Sequence, residues 1–284
     1  MRWKRYLNRN EEGTVTNNFD LEKQMFDSSC ISDYMGCPRL FYYSWIRKLV
    51  MKEEKPSITF GSVFHEVLLS WYRVSKFEEA VKMFDKLPAG VTGDKLTKDW
   101  GISIFKQYVE RYKNEEGKTL HLEVKFRVEI GDRIYAGTMD RIKEWMGQTF
   151  VEDHKTSASL QLSDCSHRPS PQIDGYCYVC RELIGRCDGA IINGISTAQN
   201  PKERFNRFIT SRTDSEIDRW KENFTDITDD ILRDVKRNHY PMHTNYCNRW
   251  GKCKYWELCI YGEEEKRIEQ NFRVEEKGVE ENGD

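Results

Sequence analysis

The stretch GTMDRIKEWMGQTFVEDHKTS, residues 137–157, reads as a β-hairpin that carries an unusual set of side chains. A strand that covers a core alternates apolar and polar residues. Here Asp140, Asp153 and Lys155 stand at positions where an alternating strand places apolar residues. Two acids and a lysine at such positions indicate a role other than packing of the core.

The turn of this hairpin predicts that the three side chains share one face. With Gly147 as the first central residue of a type II′ turn, Asp140 faces Lys155 and Ile142 faces Asp153. Side chains on a strand repeat every second residue, so both acids and the lysine then project from the same side. A slip of one residue would move Asp140 to the other face.

Two carboxylates that converge repel each other unless a cation lies between them. Paired oxygen ligands suit Mg²⁺ or Mn²⁺, and a lysine beside such a metal can orient water or offset charge on a phosphate. A salt-bridged sheet surface is the common alternative for acids paired with a lysine.

Composition indicates a folded chain with a sizeable core. Of its 284 residues 38% are hydrophobic, including 14 Phe, 14 Tyr and 8 Trp, although the mean hydropathy is −0.78. The start MRWKRYLNRN has no apolar segment typical of a signal peptide, and no later stretch has the length and hydropathy of a membrane span. We expect a soluble, cytoplasmic protein with no membrane partner.

Charge and hydropathy divide the chain into three parts. Residues 1–26 are polar and carry no periodic pattern, and residues 263–284 contain nine acidic and four basic residues. We expect the first to be an accessory segment and the second a disordered tail. The intervening residues 27–262 are expected to form a single domain whose mildly basic charge permits nucleic-acid binding.

The periodicity within this domain alternates between helix and strand. Residues 77–118 read as a helical insert, and alternating strands follow from residue 120. A helix around 170–186, two more strands and a long helix at 214–238 complete the pattern. We expect an α/β fold.

Four stretches in order, GSVFHEVL, DRI, VEDHKTS and QIDGYCY, resemble the RecB-like branch of the PD-(D/E)xK nuclease superfamily over residues 27–262. The resemblance implies a restriction-endonuclease-like core with a central mixed sheet flanked by helices. It implies Asp140, Asp153 and Lys155 as catalytic residues. It also implies Mg²⁺ or Mn²⁺ bound by the side chains of His65, Asp140 and Asp153 and by the backbone carbonyl of His154. Some relatives carry a further acid on the first strand, here Glu123.

Gln172 and Tyr176 stand four residues apart, which places them on one face of a helix. In RecB-like nucleases a pair with this spacing lies beside the active site and helps to hold the DNA strand. The resemblance therefore implies a DNA-positioning role for both residues. Packing of a half-buried tyrosine is the alternative reading.

The chain has nine cysteines. An odd number in a chain expected to be intracellular favours free thiols or metal ligands over a disulfide framework. Cys247, Cys253 and Cys259 are regularly spaced in the segment 240–262, and Cys37 lies far upstream. Some RecB-like nucleases, including AddAB-type helicase-nucleases and a nuclease of CRISPR adaptation, use one early and three late cysteines to bind a 4Fe–4S cluster. By that resemblance these four cysteines join the N- and C-terminal segments.

The late cysteines depart from the usual spacing of that branch, because Trp250 stands where one cysteine is expected and Cys247 lies three residues earlier. Zinc is therefore the alternative occupant. His239 and His243 are possible substitute ligands for it.

The function implied by the resemblance is a metal-dependent DNA exonuclease, acting on single-stranded DNA in recombination, repair or replication. Standalone chains of this type are encoded by phages as well as by cells. The chain has no Walker motif, so a helicase or recombination partner would supply any unwinding, and a homo-oligomer is compatible with the sequence. The alternative is a DNA-binding subunit with little or no catalysis in a recombination or CRISPR-adaptation complex.

Overall fold

The computed structural model describes residues 19–53, 55–88, 95–160, 164–249 and 251–275. Within these ranges the strands are β1 (Met25–Phe26), β2 (Leu49–Met51), β3 (Lys118–Ile130), β4 (Arg133–Trp145), β5 (Gln148–Ser157), β6 (Gly189–Ser196), β7 (Phe205–Thr210) and β8 (Phe272–Val274). The α-helices are α1 (Ser28–Gly36), α2 (Pro38–Phe41), α3 (Pro56–Val74), α4 (Phe77–Val81), α5 (Lys98–Tyr112), α6 (Asp164–His167), α7 (Pro171–Ile184), α8 (Asp214–Arg237), α9 (Trp256–Tyr261) and α10 (Glu265–Asn271).

Six of the strands form one mixed sheet in the order β1-β4-β5-β6-β7, with β3 also paired to β4. Strand β4 pairs antiparallel with β5, β5 parallel with β6, and β6 antiparallel with β7. All eight residues of β6 are buried, as expected for a strand covered on both faces. The sequence prediction of an α/β fold with a central mixed sheet flanked by helices is confirmed.

The described residues divide into two compact units, the first of which contains residues 55–126 and 138–220. Helix α3 begins with Pro56 at its first turn and ends where Ser75 takes a left-handed conformation. Its buried face carries Phe60 and Phe64, which pack in one core cluster with Phe84 and Phe105. The expected helical insert at 77–118 contains α4, a 3₁₀ turn at Lys82–Lys86 and α5, while residues 89–94 lie outside the described ranges.

The second unit contains residues 19–53, 127–137 and 221–275. Its core consists of aromatic and aliphatic side chains together with one thiol: Cys37, Leu40, Tyr43, Leu49, Tyr255, Leu258 and Phe272. Strands β2 and β8 pair antiparallel in this unit, and β1 pairs parallel with Ile134 and Tyr135 of β4.

Both terminal segments contribute structure that the sequence did not predict. Residues Glu265–Val274, expected in a disordered tail, form α10 and β8, and Phe272 is buried and stacked on Tyr255 with ring centroids 5.4 Å apart. Met25 and Phe26, expected in a loose start, form buried strand β1. These few apolar residues are sufficient to order both segments, because β1 and β8 each pair with a strand that is distant in the sequence. Residues 1–18 and 276–284 lie outside the described ranges.

None of the helices in the described ranges has the length and apolar character needed to cross a membrane.

A network of buried charges lies within the first unit. Arg141 Nη1 lies 2.8 Å from Glu152 Oε2, and Glu152 is fully buried. The Glu115 carboxylate forms ion pairs with Arg207 at 3.0 Å, with Arg141 at 3.3 Å and with the ammonium of Lys143. Buried charges are costly unless paired, so each group depends on the others.

This network predicts acid lability centred on Glu115. Burial alone would raise the pKa of its carboxyl, but Arg207 and the other cations lower it from 4.5 to about 2. A depressed folded-state pKa stabilises the fold above the unfolded value, and this stabilisation disappears as pH falls from about 4.5 to about 2. The shift corresponds to about 3 kcal/mol.

We expect the free energy of unfolding of wild type to fall by about 3 kcal/mol more than that of Glu115→Gln between about pH 5 and about pH 2. Urea unfolding at a series of pH values measures this difference. Glu110→Gln, at a largely exposed carboxylate of α5, is the matched control and should retain the wild-type slope. Equal slopes for wild type and Glu115→Gln would contradict the role assigned to the network.

Candidate active site

The hairpin of β4 and β5 has a register that differs from the predicted one by two residues. Its central turn residues are Met146 and Gly147, with φ of 51° and 71°, not Gly147 and Gln148. Two left-handed residues are characteristic of a type I′ turn, which matches the twist of paired strands. The ladder therefore pairs Ile142 with Val151 and Arg141 with Glu152.

The predicted pairs Asp140–Lys155 and Ile142–Asp153 are therefore wrong. The error is an even number of residues, so it leaves each side chain on its predicted face. The structure brings Asp140, Asp153 and Lys155 into one neighbourhood, as the sequence predicted, although the partner opposite each residue differs.

Asp140 is fixed through both of its carboxylate oxygens. His65 Nδ1, from α3, lies 3.4 Å from Oδ1, and the backbone N–H of His154 donates to Oδ2 at 2.8 Å. Helix α3 presents His65 there because its neighbour Phe64 is anchored in the core. The helix and the hairpin thus meet at this carboxylate.

Asp153 and Lys155 form a close ion pair on β5. Lys155 Nζ lies 2.8 Å from Asp153 Oδ2, and the lysine side chain is 42% exposed whereas the aspartate is 4% exposed. The geometry at Oδ2 is not that of a hydrogen bond, and this buried oxygen has no hydrogen-bond partner in the described part of the chain. Because this oxygen already faces the Lys155 ammonium, it lies where positive charge is stabilised.

The charge states follow from these contacts. Burial alone would raise the pKa of Asp140, but the hydrogen bond from His65 and the charge of that residue hold it well below its ordinary value. Burial alone would lower the pKa of Lys155, but Asp153 more than compensates and the pKa is raised. Burial alone would lower the pKa of His65, but its hydrogen bond to Asp140 and the charge of that carboxylate more than compensate, so the pKa is raised. At neutral pH Asp140 is therefore an anion and Lys155 a cation.

Gln172 and Tyr176 connect Lys155 to the backbone of β4. Lys155 Nζ donates to Gln172 Oε1 at 2.9 Å, and Gln172 Nε2 donates to Tyr176 OH at 3.1 Å. Tyr176 OH donates to the carbonyl of Thr138 at 2.7 Å. Because both residues lie on one face of α7, they hold the lysine from a fixed helix.

The side chain of His154 belongs to a support that sequence reasoning missed. Its ring stacks on Tyr72, with centroids 5.8 Å apart and planes 12° apart. Asn193 Nδ2 donates to His154 Nδ1 at 2.9 Å, and burial lowers the pKa of the histidine. The sequence signal was available, since Asn193 is the one polar side chain in the apolar run AIINGI.

Glu123, a weak candidate in the sequence, lies near this group. It lines a small cavity of about 10 Å³ together with His65, Asp140 and His154. Its φ of 47° is unusual for a non-glycine residue in a strand. Burial, followed by the charge of Asp140, raises the pKa of its carboxyl.

The donor set fits a hard divalent cation. Mg²⁺ is usually bound through one or two carboxylates together with waters and substrate phosphates. Asp140 and Asp153 supply that number, and Asp153 offers a buried oxygen without a hydrogen bond. Within the described ranges, no three His, Cys, Asp or Glu side chains are spaced to hold a metal ion by themselves. Substrate and water would therefore have to complete any coordination here.

The four predicted cysteine ligands lie within electrostatic range of one another in the second unit. Burial and then the neighbouring thiols Cys247 and Cys37 raise the pKa of Cys253. Burial followed by Cys253, Cys37 and Cys247 raises that of Cys259 to about 11. The backbone N–H of His243 donates to Cys37 Sγ at 3.3 Å.

A glycine allows the segments that carry two of these cysteines to approach each other. A side chain at Gly36 would meet the ring of Tyr246 at 2.6 Å, and these residues directly precede Cys37 and Cys247 in the chain. Close approach of the two segments therefore depends on the absence of a side chain there.

Comparisons with known proteins bear on the fold. The chain matches the crystal structure of a putative exonuclease from Eubacterium rectale with a TM-score of 0.57 and 16% identity, over 84% of this chain and 92% of that one. The crystal structure of SSO0001 matches over 84% of this chain and 87% of that one, at 14% identity and a TM-score of 0.34, too low to support an argument. No curated protein matches the chain.

The model of the PD-(D/E)XK nuclease superfamily matches residues 28–260. That range contains the hairpin acids, the lysine, His65 and the α7 pair, and it covers most of the sequence. The chain belongs to the PD-(D/E)XK nuclease superfamily.

Proposed function

We propose that this nuclease is a metal-dependent DNA exonuclease that hydrolyses phosphodiester bonds of single-stranded DNA. The observation that carries the proposal is the convergence of Asp140, Asp153 and Lys155, with the ammonium 2.8 Å from the Asp153 carboxylate. An exposed, salt-bridged sheet surface would not account for the burial of Asp153.

Asp140, Asp153 and His65, with the backbone carbonyl of His154, are the residues that would hold Mg²⁺ or Mn²⁺. When bound, such an ion supplies an activated water and withdraws charge from the scissile phosphate. Asp140 is oriented for this role by the backbone N–H of His154. As a ligand His65 would be neutral, because a ring nitrogen binds an ion through its free lone pair.

Lys155 acts as a cation and not as a base. Asp153 raises the pKa of Lys155 against the effect of burial, which favours the ammonium form, and an ammonium donates hydrogen bonds. A fixed ammonium stabilises the charge that develops on a phosphate during hydrolysis. Asp153 and Gln172 hold it at two points.

Gln172 and Tyr176 were expected to position DNA, and their contacts support a role in positioning Lys155. The chain from Thr138 through Tyr176 and Gln172 restrains the lysine from one side. Gln172 is only partly buried, so the same side chain is accessible to a substrate strand.

Exonuclease action on single strands rests on the family resemblance and on the likeness to a putative exonuclease. Stacking of bases on aromatic side chains and contacts to the phosphate backbone would hold a strand without reading its sequence. Recombination, repair or replication remains the proposed setting, with a helicase or recombination partner for unwinding. A DNA-binding subunit without catalysis is the alternative that the following experiment separates.

Cys37, Cys247, Cys253 and Cys259 are proposed to hold a 4Fe–4S cluster, with zinc as the alternative. Four thiols match the ligand number of both groups, and hydrogen bonds to sulfur such as that from His243 to Cys37 tune such sites. In the described residues the thiols are not spaced to hold a metal ion as they stand, so binding would have to draw them together. Ratios of iron and zinc to protein after anaerobic purification distinguish the two occupants.

The proposal predicts that wild type with Mn²⁺ or Mg²⁺ degrades linear single strands and leaves a closed circle intact. Lys155→Ala should be slower by about 100- to 1,000-fold, the loss typical for one charge-stabilising donor. Strands labelled at the 5′ or the 3′ end report the rate and the polarity of degradation.

Lys106→Ala removes an exposed lysine of α5 and serves as the matched control with wild-type activity. Cleavage of the circle would make the protein an endonuclease. DNA binding without cleavage of either substrate would favour the binding-subunit alternative.

The restraint on Lys155 predicts different effects for the two α7 residues. Gln172→Ala removes a hydrogen bond to a charged group, worth about 1.5–3 kcal/mol, so kcat should fall by about 10- to 150-fold. Tyr176→Phe removes only neutral hydrogen bonds and should lower kcat by about 2- to 10-fold. Both variants should leave KM for a single strand nearly unchanged.

Steady-state kinetics on a labelled oligonucleotide measures both parameters. A raised KM with unchanged kcat would mean that the pair binds DNA and does not position the lysine.

A further inference from the structure

A cavity of about 420 Å³ opens within the first unit where β5 ends. Thr156, Ser157 and Ala158 form one side of it, and they directly follow Lys155 in the chain. At a strand rise of about 3.3 Å per residue, Ser157 lies about 13 Å from Asp153 along β5. The cavity therefore adjoins the acids and the lysine without containing them.

The lining has the character of a site for a flat, partly apolar group. Leu96, Ala158 and Ala198 supply the accessible apolar surface, and Phe60 closes the cavity from below as a fully buried core residue. Hydroxyl groups of Ser57 and Thr156 supply polar contacts. Small-molecule sites of about 300–1,000 Å³ are typically apolar with a few placed polar groups.

One lysine and one helix N-terminus give the entrance its positive charge. Lys95 is exposed at the cavity, and the nineteen-residue helix α3 begins beside it at Pro56, with no side-chain cap on its first turn. The positive end of a helix dipole favours an anion. Together these features favour a ligand that combines an apolar plane with a negative charge.

The far wall of the cavity is preformed. Arg204 donates to the carbonyls of Ser196 at 2.9 Å and Gln199 at 3.0 Å, and also to that of Ala198. The indole of Trp100 donates to the Thr197 carbonyl at 3.0 Å. A wall held by these bonds binds a ligand without first being ordered.

We propose that this cavity receives one nucleotide of the substrate strand, close to the scissile bond but not adjoining it, with its base against the surface formed by Leu96 and Ala198. The inference rests on the proposed function, because continuity with Lys155 identifies the occupant as part of the same strand. The phosphate of that nucleotide lies toward Lys95 and the first turn of α3. The cavity thereby adds strand affinity beyond the reacting bond.

The first test is binding of a deoxynucleoside 5′-monophosphate, measured by calorimetry in the presence of EDTA so that no cleavage intervenes. Wild type should bind saturably. Ala198→Trp, which fills the cavity, and Ser57→Trp, which blocks its exposed rim, should each weaken binding at least tenfold. Val74→Trp adds the same ring at the exposed far end of α3, about 27 Å away along the helix, and should bind as wild type does.

The second test compares two substrates with Mn²⁺ present. Both cavity variants should raise KM for a single-stranded oligonucleotide at least tenfold. They should hydrolyse bis(p-nitrophenyl) phosphate, a diester too small to reach the cavity, at the wild-type rate. This second rate also reports whether each variant is folded.

Unchanged nucleotide binding and unchanged KM in both cavity variants would overturn the inference while leaving the proposed function intact. Nucleotide binding that is lost in those variants, in a protein that cuts neither substrate, would support the cavity site and contradict the proposed function. No nucleotide binding to wild type would overturn the inference regardless of cleavage.

Discussion

The pairing of β4 with β5 is the constraint on which the candidate site depends. Met146 and Gly147 close the hairpin with two left-handed residues, and this fixes Arg141 opposite Glu152. Side chains alternate between faces, so the turn also determines that Asp153 and Lys155 project together. A slip of one residue would send both to the opposite face and bury Glu152 among different partners.

The two faces of the hairpin have separate tasks. On one, Asp153 and Lys155 meet α7 through Gln172. On the other, Arg141 and Glu152 form a buried pair, and the guanidinium of Arg141 lies 3.9 Å from the centroid of the Tyr72 ring. Tyr72 also stacks on His154. The network that stabilises the sheet therefore also holds His154, which lies between Asp153 and Lys155 in the chain. Removing one partner of such a network would leave an uncompensated buried charge. Each charged group is therefore held in place by the others, and the geometry of the network is rigid.

Sequence patterns predicted the features that depend on local spacing. Alternation along β4 and β5 predicted the shared face. The i, i+4 spacing of Gln172 and Tyr176 predicted that they lie on one face of a helix, where a hydrogen bond of 3.1 Å joins them. The turn was misplaced because Gly147 is compatible with either of two central positions, and the sequence does not choose between them. The consequence was a two-residue error in register that preserved the face.

Features that depend on distant partners were not predictable in this way. The pairing of β8 with β2 joins residues more than two hundred positions apart, and nothing near Phe272 indicates its partner. The roles of Asn193 and Glu152 depend on Tyr108, Arg207 and His154, which come from three other elements. A polar residue in an apolar strand indicates that a partner exists, but the fold decides which one.

The most direct test of the hairpin as a metal site is to measure Mn²⁺ binding by electron paramagnetic resonance. Wild type should bind Mn²⁺ at a site that Asp140→Asn and Asp153→Asn each weaken at least tenfold, whereas Cys37→Ser, in the other unit, retains it. A DNA strand added to Lys155→Ala should tighten Mn²⁺ binding, because phosphate oxygens complete the coordination of such ions. Mn²⁺ binding that is the same in wild type and in both aspartate variants would contradict the assignment of these acids as the metal site.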